Sequence, residues 1–458
     1  MKLGVVILAA GMGKRMRSDL PKVLHPLAGR PMLAHVVAAA TRIGAARTVV
    51  VYGHGGAEVR AALADEDCAW VEQAQQLGTG HAVLQAMPLV QAMDRVLVLY
   101  GDVPLVDADT LNRLIEASRD SGLGILTVLM DDPTGYGRII RDAGGRILRS
   151  VEQKDGTPEE LAVREANTGF LVADRARLDG WLQGLTNANA QGEYYLTDVI
   201  GLAVAQGERV ASVHPVTLEE VSGVNDRVQL AALERFHQRR LAEGLMRNGV
   251  TLADPARLDI RGRLTTGRDL FIDVNLICEG DVTLGDGVRI GPNCLIRDSI
   301  IGDGTHIFAN CVIEGAQVGS GARIGPYARL RPQARLAPDT HIGNFVEIKK
   351  ANVGEGSKVN HLTYIGDTDI GAGVNVGAGT ITCNYDGANK FRTVIGDGAF
   401  IGSNASLVAP VTIGVGATIG AGSVINQDAP PGELTVTRAR QTTIPGWQRP
   451  RKQPKPVE

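Results

Sequence analysis

Residues 8–16, LAAGMGKRM, have the composition of a phosphate-binding loop. Gly11 and Gly13 would let backbone N–H groups approach an anion, and Arg15 and the nearby Lys22 would supply positive charge. The stretch lacks the third glycine of a dinucleotide fingerprint and the spacing of a Walker A motif. A polyphosphate clamp is therefore the prediction, and an ordinary tight turn is its alternative.

Two further polar stretches suit the same chemistry. Gln73 precedes a small-residue turn at residues 78–82, GTGHA, which would let a base or a ribose lie against the backbone. Asp102 follows a strongly apolar stretch, and a carboxylate there is poorly solvated unless it holds a cation. Asp102 is thus the candidate metal ligand, and its alternative role is that of a helix N-cap.

A second set of polar residues lies in the C-terminal half of the chain. His361 is the candidate general base, because a neutral imidazole can take a proton from an attacking amine. Arg331, Lys349 and Lys350 are basic residues in a weakly charged region and suit a sugar phosphate. The stretch 383–392, CNYDGANKFR, interrupts a repeat, and such insertions often bind ligands. The alternative for His361 is a surface histidine with no chemical role.

Strand and helix patterns alternate over residues 1–211. The apolar, β-branched runs predict buried strands, and the amphipathic runs between them predict helices. Such alternation indicates a parallel, doubly wound sheet, in which ligands bind beyond the carboxyl ends of the strands. The 8–16 loop and Asp102 lie at such ends. The predicted strands are 5–8, 48–52, 96–100 and 125–129, and the predicted helices are 32–43 and 110–118.

From about residue 276 to residue 425, aliphatic residues recur every six positions and are usually followed by glycine. Ile290-Gly291, Ile324-Gly325 and Ile342-Gly343 are examples. A helix repeats every 3.6 residues and a strand every two, so this period fits neither. It predicts a parallel β-helix of hexapeptide repeats, whose aliphatic side chains form one inward-facing column.

The pattern divides the chain into four parts. Residues 1–226 form the α/β domain, and residues 227–248 predict one long connecting helix with His237 on its surface. The repeat domain spans residues 249–440. Residues 441–458 are rich in proline and basic residues, which predicts a flexible tail.

Composition restricts the class of protein. Hydrophobic residues make up 44% and charged residues 21% of the 458, as in ordinary globular domains. A net charge of −3 gives no reason to expect nucleic acid or a membrane as partner, and no apolar segment is long enough to span a bilayer. The five cysteines are scattered and odd in number, which favours a reducing cytoplasm over a disulfide framework.

Eight motifs, taken together with the repeats, resemble those of one enzyme family. This family is the bacterial bifunctional N-acetylglucosamine-1-phosphate uridylyltransferase and glucosamine-1-phosphate acetyltransferase, and the resemblance covers nearly the whole chain. The motifs are LAAGMGKRM (8–16), PK (21–22), QLGTGHA (76–82), YGDVP (100–104), GYGR (135–138), EANTG (165–169), GEYYLTD (192–198) and SGVND (222–226).

The resemblance implies a fold and a set of ligands. The fold is an α/β doubly wound, Rossmann-like nucleotidyltransferase domain followed by a left-handed parallel β-helix. The co-substrates are UTP and acetyl-CoA, the metal is Mg²⁺, and the assembly is a homotrimer whose acetyl sites lie between subunits. The other substrates are the small molecules glucosamine 1-phosphate and N-acetylglucosamine 1-phosphate.

For the first domain, the resemblance also implies residue roles. Arg15 and Lys22 neutralise the triphosphate and are catalytic, and Asp102 and Asn225 are the Mg²⁺ ligands. Asn225 follows from the resemblance alone, because spacing would not have selected it. The uridine and substrate positions are Leu8, Ala9, Ala10, Gly11, Gln73, Gly78, Thr79, Tyr100 and Gly101, and the sugar positions are Gly137, Glu152, Asn167 and Thr168.

In the repeat domain, the resemblance makes His361 the base that deprotonates the 2-amino group of glucosamine 1-phosphate. Arg331 and Lys349 then bind its phosphate. The positions for the sugar or the reacting carbonyl are Tyr364, Asn375, Asn384 and Tyr385, and those for acetyl-CoA are Ala378, Ser403, Ala421 and Arg438.

Two other functions are compatible with parts of this pattern. A nucleotidyltransferase with a single activity would use the repeats only as a trimerising scaffold, but it would not need Arg331, Lys349, His361 and Asn384. A non-catalytic regulatory subunit would share the domain pair, but it would have no reason to keep Lys22 together with its metal-ligand candidates.

Overall fold

The computed structural model describes residues 1–11, 13–53 and 55–451. It contains two compact units, which we describe separately. The first comprises Met1–Glu243 with Ile260–Gly262, and the second comprises Gly244–Asp259 with Arg263–Glu458. The division falls within the helix Arg227–Arg247, which the sequence predicted at 227–248.

A nine-stranded sheet forms the centre of the first unit. Half of its described strand pairs are parallel, and Glu165–Asp174 runs antiparallel to both Arg95–Tyr100 and Leu123–Leu129. The sheet is therefore mixed: the predicted parallel pairing is present between Leu3–Ala9 and its neighbours Arg47–Tyr52 and Arg95–Tyr100, and the antiparallel strand Glu165–Asp174 was not predicted. The strand order is Val210–Val213, Leu123–Leu129, Glu165–Asp174, Arg95–Tyr100, Leu3–Ala9, Arg47–Tyr52 and Ala69–Glu72, with Gly137–Arg141 and Ile147–Val151 attached at Glu165–Asp174.

Helices cover both faces of this sheet, as a doubly wound fold requires. Successive residues of the first strand point to opposite faces. Val5 and Ile7 pack into the core under the helix Met32–Arg42, whereas Val6 and Leu8 pack into the core under Thr79–Ala86. The helices are Met32–Arg42, Gly56–Ala62, Thr79–Ala86, Ala108–Ala117, Pro158–Leu161, Arg175–Gln183, Val199–Ala205 and Arg227–Arg247.

Short elements complete the first unit. A two-stranded hairpin pairs Pro26–Leu27 with Arg30–Pro31. The 3-10 turns are Lys14–Met16, Lys22–Leu24, Met87–Val90, Leu196–Asp198 and Leu218–Val221.

His237 is not the surface residue that the helix pattern predicted. Its ring meets that of His35 edge-on, with the centroids 5.7 Å apart. Burial, followed by the charge of Arg240, lowers the pKa of His237 to about 4. The imidazole is therefore neutral at physiological pH and contributes to packing.

The second unit is the predicted left-handed parallel β-helix. Consecutive coils bring Ile290, Ile307, Ile324 and Ile342 into parallel register. These side chains are almost completely buried, which confirms the inward-facing column. The first sheet consists of Thr251–Leu252, Phe271–Ile272, Arg289–Ile290, His306–Ile307, Arg323–Ile324, His341–Asn344, Lys358–His361, Asn375–Val376, Phe400–Ile401, Thr418–Ile419 and Leu434–Thr435.

A second sheet, of 17 strands, supplies the other faces of the coils. Its strands are Leu258–Thr266, Leu276–Leu284, Leu295–Arg297, Ile300–Ile301, Val312–Glu314, Gln317–Val318, Arg329–Leu330, Arg335–Leu336, Glu347–Lys349, Asn352–Val353, Tyr364–Gly366, Thr368–Ile370, Ile381–Cys383, Thr393–Ile395, Ser406–Val408, Val411–Ile413 and Val424–Ile425. A short 3-10 turn, Pro255–Arg257, precedes them.

Glycine at the corners has a steric reason. A Cβ on Gly343 would lie 2.0 Å from the carbonyl oxygen of Asn360 on the next coil. No side chain fits at that distance, so the repeat needs a glycine where coils stack this closely.

No helix in the described ranges is long and apolar enough to cross a membrane. Residues 441–451 are exposed and form neither helix nor strand. The rest of the predicted tail, residues 452–458, and Met12 of the 8–16 loop lie outside the described residues.

Candidate active sites

A cavity of about 260 Å³ lies at the carboxyl ends of Leu3–Ala9 and Arg95–Tyr100. It brings together most of the residues predicted for nucleotide binding. The sequence reasoning missed Val23, Gln76, Ala82 and Glu193. The full lining is Leu8, Ala9, Ala10, Gly11, Lys22, Val23, Gln73, Gln76, Gly78, Thr79, Ala82, Tyr100, Asp102 and Glu193.

Two glutamines shape this cavity. Buried Gln73 donates from Nε2 to the carbonyl of Gly78 at 3.0 Å, which fixes its side chain. Gln76 donates from Nε2 to the carbonyl of Ala10 at 2.7 Å and so ties the glycine-rich loop to the opposite wall. Gln76 is the first residue of the QLGTGHA motif, but it was not assigned a role from the sequence.

Lys22 connects the two predicted metal ligands. Its Nζ forms an ion pair with Asp102 and lies 3.3 Å from Oδ1 of Asn225. Gly13 lets the backbone of the glycine-rich loop lie close to Lys22. Its φ is +58°, and a Cβ at this position would lie 2.6 Å from Cβ of Lys22. Asp102 is not a helix N-cap, since Asp107 caps Ala108–Ala117 by accepting from the N–H of Asp109.

The geometry around Lys22 shows whether Asp102 and Asn225 could hold one metal ion together. The oxygens of Asp102 and Asn225 converge on one ammonium, so both are within reach of a common cation. Carboxylate and amide oxygens suit a hard cation such as Mg²⁺. The described residues contain no cluster of three or more His, Cys, Asp or Glu able to hold a metal. A cation here would take its remaining ligands from phosphate oxygens and water.

An adjoining cavity of about 300 Å³ shares Thr79, Tyr100 and Glu193 with the first. It contains all four residues predicted to hold the sugar, and it adds Tyr195 and Thr197 from the GEYYLTD motif. The lining is Thr79, Tyr100, Gly135, Tyr136, Gly137, Glu152, Asn167, Thr168, Gly169, Gln191, Glu193, Tyr195 and Thr197.

Hydrogen bonds fix the polar groups of this second cavity. Asn167 donates to Oγ of Ser150 at 3.1 Å and accepts from the N–H of Gly169 at 2.9 Å. Glu152 accepts from the hydroxyl of Thr197 at 2.7 Å. Burial, with the nearby carboxylate of Glu152, raises the pKa of the Tyr100 hydroxyl, which therefore stays protonated and able to donate.

Three predicted residues, Arg15, Gly101 and Asn225, lie outside both linings. Arg15 is an exposed residue of the 3-10 turn Lys14–Met16. Gly101 follows the strand Arg95–Tyr100, and its N–H donates to the carbonyl of Leu8 at 2.9 Å. Gly101 thus joins the two strand ends that frame the nucleotide cavity.

Asp198 gives the first unit a pH-dependent stability. Burial, followed by the charges of Glu152 and Asp155, raises its pKa to about 6. Above pH 6 the carboxylate of Asp198 is therefore charged and poorly solvated in the folded state, which lowers the free energy of unfolding. Below the pKa that Asp198 has in the unfolded chain, the group is neutral in both states and does not affect stability. We expect Asp198→Asn to raise Tm at pH 8 and to change it little at pH 4, as measured by thermal melting. An equal gain at both pH values would contradict this explanation.

In the β-helix, His361 has a partner that the sequence reasoning missed. Asn344 stands in parallel register with His361 on the preceding coil, and its Oδ1 lies 2.9 Å from Nδ1 of the imidazole. An amide oxygen only accepts hydrogen bonds. Nδ1 therefore carries the hydrogen, and Nε2 keeps the lone pair that a base needs. In the sequence the two residues are 17 positions apart, which is the length of one coil.

A cluster of cations surrounds the proposed phosphate position. Arg331 donates to Oε1 of Glu347 at 2.7 Å. The positive charge of Lys390, followed by that of Arg331, lowers the pKa of Lys349. Lys350 instead forms an ion pair with Asp367 at 3.3 Å. Mutual repulsion among the three cations Arg331, Lys349 and Lys390 favours an anion between them. Lys390 was not assigned a role from the sequence.

The inserted loop is held at its base. Asn384 is buried and donates from Nδ2 to Asp367 at 2.6 Å. Tyr385 forms a single antiparallel bridge with Lys390, which closes the loop. Tyr364 and Asn375 lie on strands of neighbouring coils, and Asn375 is in register with Lys358.

The four residues predicted for acetyl-CoA lie on exposed or half-exposed backbone at successive corners. Ala378 accepts from the N–H of Asn404 at 2.7 Å, and Ser403 accepts from that of Gly422 at 2.8 Å. Arg438 donates to the carbonyl of Ala421 at 2.9 Å. The carbonyl of His361 accepts from the N–H of Gly379 at 3.1 Å, so this corner continues directly from the proposed base.

Asn344 is expected to act as a positioning residue for His361. Its loss in Asn344→Ala should lower kcat of acetyl transfer by about tenfold, a fraction of what a general base contributes. In Asn344→Asp the carboxylate would stabilise the imidazolium, so the acidic limb of the kcat–pH profile should move to higher pH. The measurement is CoA thiol release across pH. A lower Tm with an unshifted limb would indicate a merely structural role.

Comparison with known proteins is consistent with this arrangement. The family model of the MobA-like NTP transferase domain matches residues 5–166, and that of the bacterial transferase hexapeptide (six repeats) matches residues 298–332 and 392–427. The chain is 61% identical over 453 residues to the protein named Bifunctional protein GlmU of Ralstonia nicotianae, covering 99% of this chain and 100% of that one. The chain belongs to the GlmU family. GlmU proteins of Ralstonia pickettii and of Azoarcus sp. are each 60% identical to it, over 99% and 98% of this chain and 100% and 99% of theirs.

Membership of the GlmU family confirms the family that the eight motifs predicted. The two domain models also confirm the order of the domains, a nucleotidyltransferase followed by hexapeptide repeats.

Proposed function

We propose that this chain uses its two units for two consecutive reactions. The chain is a bifunctional enzyme of UDP-N-acetylglucosamine biosynthesis, with glucosamine-1-phosphate acetyltransferase and uridylyltransferase activities. Acetyl transfer from acetyl-CoA takes place in the β-helix, and uridylyl transfer from UTP follows in the first unit. Two observations carry this division, the oriented base His361 and the cluster of cations Arg331, Lys349 and Lys390, neither of which a purely structural rod would need.

Uridylyl transfer needs positioning and charge neutralisation more than a covalent group. A phosphate oxygen of the sugar phosphate attacks the α-phosphorus of UTP in line, and pyrophosphate leaves. The backbone of residues 8–11 and the side chain of Gln73 hold the nucleotide, while Lys22 and Arg15 neutralise the triphosphate. Glu152 and Asn167 hold the sugar in the adjoining cavity.

Asp102 and Asn225 are the residues that would hold Mg²⁺ in the first unit. The ion, when bound, neutralises charge on the phosphate oxygens and orients them. Lys22 contacts both side chains, so its ammonium lies next to the two residues that would hold the ion.

Acetyl transfer proceeds directly between the two substrates in the β-helix. Nε2 of His361 takes a proton from the 2-amino group as the nitrogen attacks the thioester carbon. A C–N bond forms, the C–S bond breaks, and the CoA thiolate receives the proton. Arg331 and Lys349 hold the phosphate, and Tyr364, Asn375, Asn384 and Tyr385 hold the sugar or the carbonyl oxygen. Ala378, Ser403, Ala421 and Arg438 line the acetyl-CoA groove.

We further propose a cytoplasmic homotrimer. Exposed aromatic residues on the β-helix support an assembly, since the rings of Tyr327 and Phe345 stack 5.3 Å apart while being 53% and 56% exposed. All five cysteines are free, which supports a reducing compartment. Sedimentation of the full chain would give the number of subunits, and a monomer would contradict the proposal.

Two half-reactions test the proposed function. Glucosamine 1-phosphate and acetyl-CoA, without UTP, should release the CoA thiol. UTP, Mg²⁺ and N-acetylglucosamine 1-phosphate, without acetyl-CoA, should release pyrophosphate. If pyrophosphate formed but no CoA thiol were released, the β-helix would have only a structural role.

A further inference from the structure

One face of the β-helix has a column of basic residues. Arg289, His306, Arg323, His341 and Lys358 occupy the same position on five consecutive coils and pair in parallel register. Because neighbouring strands are about 4.8 Å apart, their backbones stack at that spacing. We refer to these five residues as the cationic column.

Acidic side chains do not neutralise this column. None of Arg289, Arg323 and Lys358 forms an ion pair within the described part of the chain. Arg289 lies over the ring of Phe271, and Arg323 over that of Phe308, each at 5.3 Å from the ring centroid. These contacts fix the positions of the two guanidinium groups but do not neutralise their positive charge.

The two histidines are next to these cations. Burial, followed by the charges of Arg323 and Arg289, lowers the pKa of His306. Burial, Lys358 and Arg323 lower that of His341, and Asp339 opposes this effect only weakly. The fixed positive charge of the column therefore belongs to its arginines and its lysine.

A neighbouring column on the second sheet differs in this respect. Glu279, Arg297 and Glu314 are in register on three consecutive coils and alternate in sign, and Arg329, one coil further and offset from this column, is in register with Glu347. Arg297 forms ion pairs with Glu279 and, at 3.3 Å, with Glu314, and Arg329 approaches Glu314 at 3.5 Å. Like charges stacked on adjacent strands destabilise a sheet, and alternation avoids this cost. In the cationic column the charged residues Arg289, Arg323 and Lys358 lie on alternate coils and are exposed, so their charge is directed to solvent without an acidic partner.

The position of the cationic column relates it to the acetyl site. Lys358 and His361 belong to the same strand, Lys358–His361, and Lys358 is in register with Asn375 on the next coil. His341 and Asn344 likewise share the strand His341–Asn344. The column therefore ends on the strand of the proposed base, three residues before it.

We propose that the cationic column guides phosphorylated substrates, glucosamine 1-phosphate and acetyl-CoA, along the β-helix toward His361. This proposal rests on the proposed acetyltransferase function. Both substrates carry phosphate, and a row of like charges raises the local concentration of counter-ions and their association rate. The Debye length is about 10 Å at 0.1 M salt, which is similar to the spacing of alternate coils, so the charges of Arg289, Arg323 and Lys358 act together near the surface.

The test is the double variant Arg289→Gln/Arg323→Gln, in which neither changed residue belongs to the catalytic machinery. We expect kcat of thiol release to stay unchanged and kcat/KM to fall about tenfold at low salt, the lower end of electrostatic guidance. Above about 0.3 M salt the difference should disappear because of screening. Arg297→Gln/Arg329→Gln is the matched control: it removes the same two charges from arginines that pair with acidic residues and should not change the salt dependence.

Each other outcome would overturn the proposal. An unchanged kcat/KM at low salt, or a loss that is equal at all salt concentrations, would show that the column does not guide substrate. A changed number of subunits would make the column a contact between copies. Should the double variant melt below the wild type, Arg323→Gln alone repeats the test. If the wild-type protein released no CoA thiol, the proposed acetyltransferase function would be wrong, and the proposed guidance of its substrates would be wrong with it.

Discussion

Replacing His361 with alanine is expected to abolish acetyl transfer and to leave uridylyl transfer intact. A general base contributes about 10²–10⁴-fold to a rate, so thiol release should fall by at least a hundredfold. The imidazole is exposed and contacts Asn344 through its side chain, so its removal leaves no cavity in the core. The fold should therefore survive.

The two activities of one sample provide the control for this variant. Thiol release is measured without UTP, and pyrophosphate release is measured without acetyl-CoA. The ratio of the two rates, compared with that of the wild type, corrects for any inactive protein. If the variant kept more than about a tenth of the wild-type rate of thiol release, another group would take the proton, because loss of a general base lowers a rate by far more than tenfold.

The repeat domain was predictable because its signal is periodic. An aliphatic residue every six positions has only one way of being buried, and Ile290, Ile324 and Ile342 all point into the column. The strands Leu3–Ala9 and Arg95–Tyr100 were equally clear, since a strand that is buried on both faces is apolar throughout.

The direction of a strand has no such signal. Glu165–Asp174 has the apolar pattern of its neighbours, but whether it runs parallel or antiparallel depends on how the preceding chain returns to the sheet. The partial burial of His237 was missed for a related reason, because it depends on His35 far away in the chain.

Polar partners across the fold were the hardest to predict. Asn344 has no periodic mark, and only the register of two coils brings it to His361. Asn225 reaches Lys22 after a separation of about two hundred residues, which no local pattern encodes. Both residues are defined by three-dimensional contact, and Asn225 was identified only through resemblance.

The two proposed phosphate sites differ in the state of their lysines. Lys22 is neutralised by Asp102, whereas the cations Lys390 and Arg331 lower the pKa of Lys349. An anion entering the β-helix relieves existing repulsion. An anion entering the first unit must compete with a carboxylate for Lys22, and a metal ion held by that carboxylate would release the lysine. The charge of Asp102 is therefore central to the first site.

Asp102→Asn is accordingly expected to reduce uridylyl transfer by about 10²–10³-fold in kcat, the usual loss when one electrostatic partner of a transition state is removed. Asparagine keeps the shape and one oxygen but removes the charge that would hold Mg²⁺. The Mg²⁺ concentration for half-maximal pyrophosphate release should therefore rise, while thiol release stays at the wild-type rate. Asp107→Asn is the matched control, because asparagine also caps a helix well and Asp107 lies outside both cavities. Wild-type kcat with an unchanged Mg²⁺ requirement in Asp102→Asn would assign the metal to other residues.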